Sequence, residues 1–297
     1  MKNYDIVIFG NYTKDTIISA TGTRNVDGGG FNYGAHAAAC SGLKVAAVTR
    51  LAKEDNRVIK SLESVGIDVY PTYTKSSTHM KLEYPTDNVD ERVLTCTISA
   101  GTYTIDQFSN LEAKAYLING SIRHEVPFEI VEYLSKKDGL VVADAQGFIR
   151  IVGKDNVLMN AEWSEKLKVL TLIDILKADI VEAESLTGES DLHRAAKILA
   201  SWGPKEIVLT HRDGIVVYAE GKFYEATFYP EPLVGRSGRG DTCIASYAAK
   251  RLSASPAEAI IWSAALTSLK MEAEGPINKT KADVEELIYR KYQKKIM

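Results

Sequence analysis

An apolar run, a glycine turn, an alanine-rich stretch and a second apolar run follow one another within the first fifty residues. That order constrains the fold more than any other feature. Residues 4–9 are apolar except for Asp5 and stop at Gly10, the pattern of a strand covered on both faces. Gly28–Gly30 lead into Ala35–Cys40, whose alanines favour helix until Gly42 ends it. Lys44–Thr49 reads as the next strand, and Asn56–Ser64 as a helix with Val58, Ile59 and Leu62 on one face. Strands follow at Ala115–Asn119, Leu140–Asp144, Asp179–Glu182 and Glu206–Thr210, with helices at Phe128–Leu134 and Leu192–Trp202. Such alternation predicts a layered α/β fold around a mostly parallel sheet. Three helices close the chain, at Asp241–Leu252, Pro256–Glu272 and Lys281–Tyr292, with Ser255 as a cap before Pro256.

Two stretches break the rhythm. Residues 11–26 and 67–105 are rich in Thr, Tyr, Val and Ser, with period-two alternation over Met80–Tyr84 and Arg92–Thr97 and a hairpin turn expected at Asp87–Asp90. They predict half-buried antiparallel strands in a small accessory sheet, a β lid over the site. An edge extension of the main sheet is the alternative. No repeat or linker divides the chain, so residues 1–297 are read as one domain.

Composition narrows the function. Thirty-six basic against 39 acidic residues give a formal charge of -3, with no basic surplus for nucleic acid. No apolar run reaches the ~18–20 residues of a membrane span. The chain starts on a strand-like segment rather than a secretory leader, so a cytoplasmic protein is expected. Three cysteines without a C-x-x-C pair speak against a disulfide framework or a structural zinc.

The segment most able to carry chemistry is residues 235–242, Gly-Arg-Ser-Gly-Arg-Gly-Asp-Thr, between a strand-like stretch and a helix. Its glycines let successive N–H groups point at one spot, and the helix adds its positive end. Such a concavity binds an anion, and Asp241 beside it could accept a proton from a hydroxyl. The same residues would also serve as an ordinary N-cap. Near the end of the first strand, Asp15 and Gly28–Gly30 could hold the hydroxyls of a polyol, or be a surface aspartate and a plain loop. Neither a dinucleotide fingerprint nor a P-loop is present.

Together these segments resemble the ribokinase-like (PfkB) carbohydrate kinases over nearly the whole chain. Gly28-Gly29-Gly30 through Ala35–Ala39 to Gly42 is similar to the family's N-terminal signature, and Gly238-Arg239-Gly240-Asp241-Thr242 to its C-terminal one. Asp179-Ile180-Val181-Glu182 resembles its Asn-x-x-Glu segment. The resemblance implies a three-layer α/β/α sandwich with a β lid, and an ATP-dependent kinase of a small sugar or polyol using Mg²⁺. It assigns Asp241 as the base and the amides of Gly238, Arg239 and Gly240 as the anion hole. Asp15, Gly29 and Gly30 would bind substrate, Thr210 and Gly214 would lie by the nucleotide, and Glu182 with Asp179 would organise Mg²⁺ through water. An exposed lid edge could pair two subunits, as in some members.

Departures from the family pattern carry their own implications. Gly235-Arg236 stands where many members have an Asp-Thr that helps hold a monovalent cation, so Arg236 or Arg239 would supply that charge on the donor side. Tyr33 aligns with a common asparagine, and Asn32 sits one place earlier as a substrate contact. Residues 144–150, with Gln146 and Arg150 as further substrate contacts, resemble members that phosphorylate inositol-like polyols. A nucleoside kinase, or a non-catalytic sensor that kept the fold, are the competing readings. His36, His79, His124, Cys243 and Trp262 are read as packing or surface residues.

Overall fold

Alternation along the first strand decides the layering. Ile6 and Ile8 face one hydrophobic core while Val7 and Phe9 face another, and all four are fully buried. In a computed structural model that describes residues 2–20, 22–86 and 92–292, this strand lies inside a nine-stranded sheet.

The large sheet comprises β1 (Lys2–Phe9), β4 (Val45–Leu51), β5 (Asp68–Tyr73), β8 (Leu111–Ile118), β9 (Leu140–Asp144), β12 (Ile175–Asp179), β13 (Glu206–Thr210), β14 (Gly214–Ala219) and β15 (Lys222–Thr227). Its order is β15-β14-β13-β12-β9-β8-β1-β4-β5. Pairing is parallel from β5 to β13, and two antiparallel pairings add β14 and β15. Helices α1 (Gly30–Cys40), α2 (Arg57–Ser64), α8 (Arg239–Arg251), α9 (Pro256–Met271) and α10 (Lys281–Lys291) supply one core. The other takes α3 (Phe128–Ser135), α5 (Lys166–Leu170), α6 (Ile180–Thr187) and α7 (Leu192–Ser201). The result is the expected three-layer α/β/α sandwich. A single turn, α4 (Gln146–Ile149), leads into the short hairpin β10 (Arg150–Val152) and β11 (Leu158–Asn160).

A separate four-stranded sheet, ordered β3-β2-β6-β7, is built from β2 (Thr13–Ser19), β3 (Gly22–Gly28), β6 (Thr78–Glu83) and β7 (Val93–Ile98). Its buried side is small, formed by Ile17, Met80, Leu82, Cys96 and Ile122. Two details differ from the sequence expectation. Asp68–Tyr73 pairs with β4 as the edge of the large sheet, so the stretch 67–105 is divided between both sheets. The central β2–β6 pairing is parallel, because a long excursion through α1, β4, α2 and β5 separates the two strands. The turn expected at Asp87–Asp90 lies outside the described residues.

A third difference sits beside the functional segment. The expected strand Asp179–Glu182 ends at Asp179, and Ile180–Thr187 is helical. The cause is a capping box: Asp179 Oδ1 accepts the Glu182 N–H at 2.8 Å while Glu182 Oε2 accepts the Asp179 N–H at 2.8 Å. Two orphan donors are satisfied reciprocally, which ends the strand and starts α6. In metal-free chemical denaturation, Asp179→Ala should lower stability by about 1 kcal/mol, whereas Asp179→Ser, which keeps a capping oxygen, should lose much less. Equal losses would show that the cap contributes nothing.

Candidate active site

Open α/β sheets bind ligands outside the carboxyl ends of their strands, where connections diverge to opposite sides. Here β1 is flanked by β4 and β8, and the chain leaves it first toward β4 and later returns through β8. The carboxyl ends of β9, β12 and β13 carry Asp144, Asp179 and Thr210 on the same edge. A cleft of about 560 Å³ opens there.

The cleft gathers sequence-distant candidates. Gln146, Arg150, Asp179, Glu182, Thr210, Arg236, Gly238, Arg239, Gly240 and Asp241 all line it. Arg92 and Leu94 reach it from the small sheet, and Leu158, Met159 and Asn160 from the β10–β11 hairpin. Asp15, Gly29, Gly30 and Asn32 are not part of this wall. Asp15 is close enough to feel the Asp241 charge, and the ring of Tyr33 joins the two regions. An added Cβ at Gly238 would come within 2.2 Å of that ring. The charges of both Asp15 and Asp241 act on the Tyr33 hydroxyl. Gly214 is also absent from the wall: its backbone packs so closely that a Cβ would meet the Ala226 carbonyl oxygen at 2.4 Å, a structural reason for glycine.

Helix α8 starts from Gly238, whose φ of 75° is left-handed and suits glycine. Asp241 is in the first turn, the position the sequence gives it, and Gln146 Nε2 donates to its Oδ1 at 3.4 Å. Burial pushes the Asp241 carboxyl up, while Lys177, Arg150 and Lys270 pull it down. The Arg239 N–H donates to the Arg236 carbonyl oxygen at 3.1 Å, so that amide is already engaged within the turn.

Beneath the turn lies a cation absent from the sequence-level candidates. Lys177 of β12 is 3% exposed, its Nζ stands 3.0 Å from Asp144 and 3.5 Å from Glu182, and a Cβ at Gly240 would come within 2.9 Å of it. Burial works against this charge, but Asp144 and Glu182 outweigh it and keep the ammonium protonated. Arg150 meets the other Glu182 oxygen at 3.3 Å. Burial raises both Glu182 and Asp144, and Lys177 opposes it.

A second polar cluster occupies the β1–β8 divergence. Asp15 Oδ1, Asn32 Oδ1, the Tyr33 hydroxyl, Asn11 Oδ1 and both amide atoms of Asn119 are buried without a hydrogen-bond partner among the described residues. Buried polar atoms left this way are costly, and hydroxyl groups of a bound molecule would satisfy them. Asn11 and Asn119 follow the strands directly and carry no motif, so the sequence did not single them out. Gly30 fits only because it lacks a Cβ, which would strike the Asn119 side chain at 2.4 Å.

For Mg²⁺, the donor set is Glu182 and Asp179 on the cleft wall, two hard carboxylates, with no cluster of three His, Cys, Asp or Glu among the described residues. That fits an ion bound by one or two carboxylates, water and phosphate oxygens. Cys243 and Trp262 are packing residues as expected, with Cys243 against Ser263 and the indole N–H on Ser41.

The sequence profile of the pfkB family carbohydrate kinases matches residues 4–283. The chain belongs to this family. It is a phosphotransferase with the ribokinase-like fold. A solved pyrophosphate-dependent kinase of the ribokinase family, bound to a pyrophosphate analog and myo-inositol, is 31% identical, with TM-score 0.87 over 95% of this chain and 99% of that one. A ribokinase from Arabidopsis thaliana with ribose and ATP shares the fold at 18% identity and TM-score 0.77, over 97% and 99% of the two chains. A cytidine kinase of Thermococcus kodakarensis is 28% identical over 80% of this chain and 84% of its own length. Among the described residues no helix is long and apolar enough to cross a membrane.

The Asp15 carboxyl is pushed up to about 7 by burial, with the Asp241 charge adding to the shift and Thr13 opposing it. A raised carboxyl favours the protonated fold, so its burial penalty is absent below about pH 4 and complete above about pH 7. Asp15→Asn should therefore raise the melting temperature of the ligand-free protein most at about pH 8, with the gain shrinking as pH falls toward 4. A pH-independent difference would contradict this origin.

Proposed function

We propose that this kinase phosphorylates a hydroxyl of an inositol-like polyol. The observation that carries the reading is the convergence of Asp15 and Asp241, whose charges act on each other and on Tyr33, next to the glycine turn that opens α8. The unsatisfied atoms of Asp15, Asn32, Asn11 and Asn119 would hold several hydroxyls of a small, polar ring. One hydroxyl then faces Asp241.

Asp241 accepts that hydroxyl's proton as its oxygen attacks the terminal phosphoryl group in line. The bond from phosphorus to the donor's bridging oxygen breaks, and that oxygen leaves with the electron pair. Charge on the transferred group meets the amides at the start of α8, excluding the occupied Arg239 amide, and the helix's positive end. Lys177 and Arg150 sit close enough to lower the cost of that charge. Glu182 and Asp179 would hold Mg²⁺ through water, and the ion would neutralise donor phosphate. The small sheet, through Arg92 and Leu94, would cover the site and limit hydrolysis.

ATP is the donor typical of the family. Pyrophosphate fits the cleft better: Arg92, Arg150, Lys177, Arg212, Arg236 and Arg239 all line it, and among the described residues no Phe, Tyr or Trp does. A compact polyanion matches that wall, whereas a purine usually finds an aromatic or apolar slot. The pyrophosphate-dependent relative supports the same choice. Cytidine as acceptor is the second reading, favoured by the curated relative.

Product formation measured for myo-inositol, ribose and cytidine, each with pyrophosphate and with ATP, tests all of this. Turnover should be highest for myo-inositol with pyrophosphate. Turnover only with ATP would overturn the donor, preference for cytidine the acceptor, and silence throughout the activity itself. Asp241→Asn should cut kcat about 10²–10⁴-fold with folding unchanged. Substantial residual turnover would remove Asp241 as base.

A further inference from the structure

The closed side of the glycine turn holds a buried cation that the phosphotransfer scheme leaves unused. Lys270, near the end of α9, is 1% exposed, and its Nζ donates to the Gly235 carbonyl oxygen at 2.9 Å. The ammonium also stands 5.3 Å from the centre of the Tyr33 ring, and that ring packs on Gly238. The N–H groups of Val234 and Gly235 donate to the Met271 carbonyl oxygen at 2.9 and 3.0 Å, so the entrance of the turn is fastened to the end of α9. A side chain at Gly235 would strike the Ala273 carbonyl oxygen at 2.2 Å. The backbone is thus clamped at 235 and wedged at 238, and Lys270 bonds the first end and faces the ring that wedges the second.

Burying an ammonium is costly, and one carbonyl and one ring face offset only part of that cost. The charged groups that face it are Asp241 from α8 and Glu274 just beyond α9, both acting at a distance. Glu274 is itself paired with Arg24 of β3 at 2.7 Å. Tyr33 from α1 completes the surroundings, and Arg236 belongs to the same turn. Arg236 and Arg239, the residues the sequence suggested as fixed cations, line the open cleft instead.

We propose that Lys270 is the built-in cation of the phosphoryl-binding turn, a positioning residue that holds the Gly235 carbonyl and the Tyr33–Gly238 contact and makes a bound monovalent ion unnecessary. The proposal rests on the phosphotransfer reading above. Burial brings the ammonium down to about 8, against the pull of Glu274 and Asp241. Most of its charge is therefore present at neutral pH and is lost as pH climbs through about 8.

Steady-state kinetics in potassium, sodium and tetramethylammonium salts, run across pH, tests the proposal. Wild-type kcat should not depend on the cation and should fall on an alkaline limb near pH 8. Lys270→Met should lower kcat about 10- to 100-fold, lose that limb, leave the acceptor KM nearly unchanged and recover partly with added ammonium. Lys270→Arg should move the limb upward. Strong potassium activation of the wild type, or a Met variant with wild-type kcat and limb, would overturn the proposal.

Sulfate, whose charge is constant over this range, reads the turn without turnover. Its stabilisation of the wild type against heat should shrink as pH passes about 8, a result that needs no variant to fold. A sulfate response that ignores pH, in a wild type that turns over, would sink the Lys270 proposal alone. No turnover on any acceptor, with the sulfate response as expected, would sink the phosphotransfer reading alone.

Discussion

The carboxyl edge of the sheet depends on one buried ammonium. Lys177 projects from β12 between Asp144 at the end of β9 and Glu182 in the first turn of α6, with Gly240 of α8 lying over it. Four elements meet at that charge. A buried pair contributes little net stability, yet removing one partner strands the other at a cost of about 3–5 kcal/mol. The net gain from the cluster lies in the field at Asp241, whose carboxyl feels Lys177 as its leading opposition to burial. Gly240 follows from the same constraint, since any side chain there would press on the ammonium.

Tyr33 is the second organising group. Its ring fills the space above Gly238, so the turn that opens α8 and the turn that opens α1 are held in contact. The α1 turn in turn places Gly30 against Asn119 and leaves Asn32 one carboxamide oxygen unsatisfied. Under the proposed function, acceptor and phosphoryl group would share one wall. The hydroxyl of the Tyr33 ring is buried without a hydrogen-bond partner among the described residues, and under the proposed function it would be a further group for the acceptor to engage. Asp15 and Asp241 are close enough that ionisation of one discourages ionisation of the other.

Much of this was legible along the chain. β1 reads as buried on both faces because no polar residue interrupts 6–9, and its side chains do divide between two cores. Gly238 and Gly240 announce a close approach, and Asp241 a helix start. What failed did so for local reasons. Asp179–Glu182 reads as strand because Ile180 and Val181 are β-branched, but a reciprocal cap between residues 179 and 182 overrides that propensity. Residues 67–105 read as one sheet because period-two patterning cannot say which edge a strand will join. Lys177 and Lys270 left a faint signal: each is a lysine where the surrounding pattern demands an apolar residue.

The sequence by itself determined the layered α/β architecture, the two glycine turns and the acid that opens the late helix, because these follow from side-chain period and backbone freedom over a few residues. Only the tertiary structure decided which groups share a cavity. It set Tyr33 on Gly238, Lys177 under Gly240 and Lys270 behind Gly235, contacts between residues separated by 35 to more than 200 positions. Electrostatic work at a site scales with distance and burial, and neither quantity exists until the layers have packed.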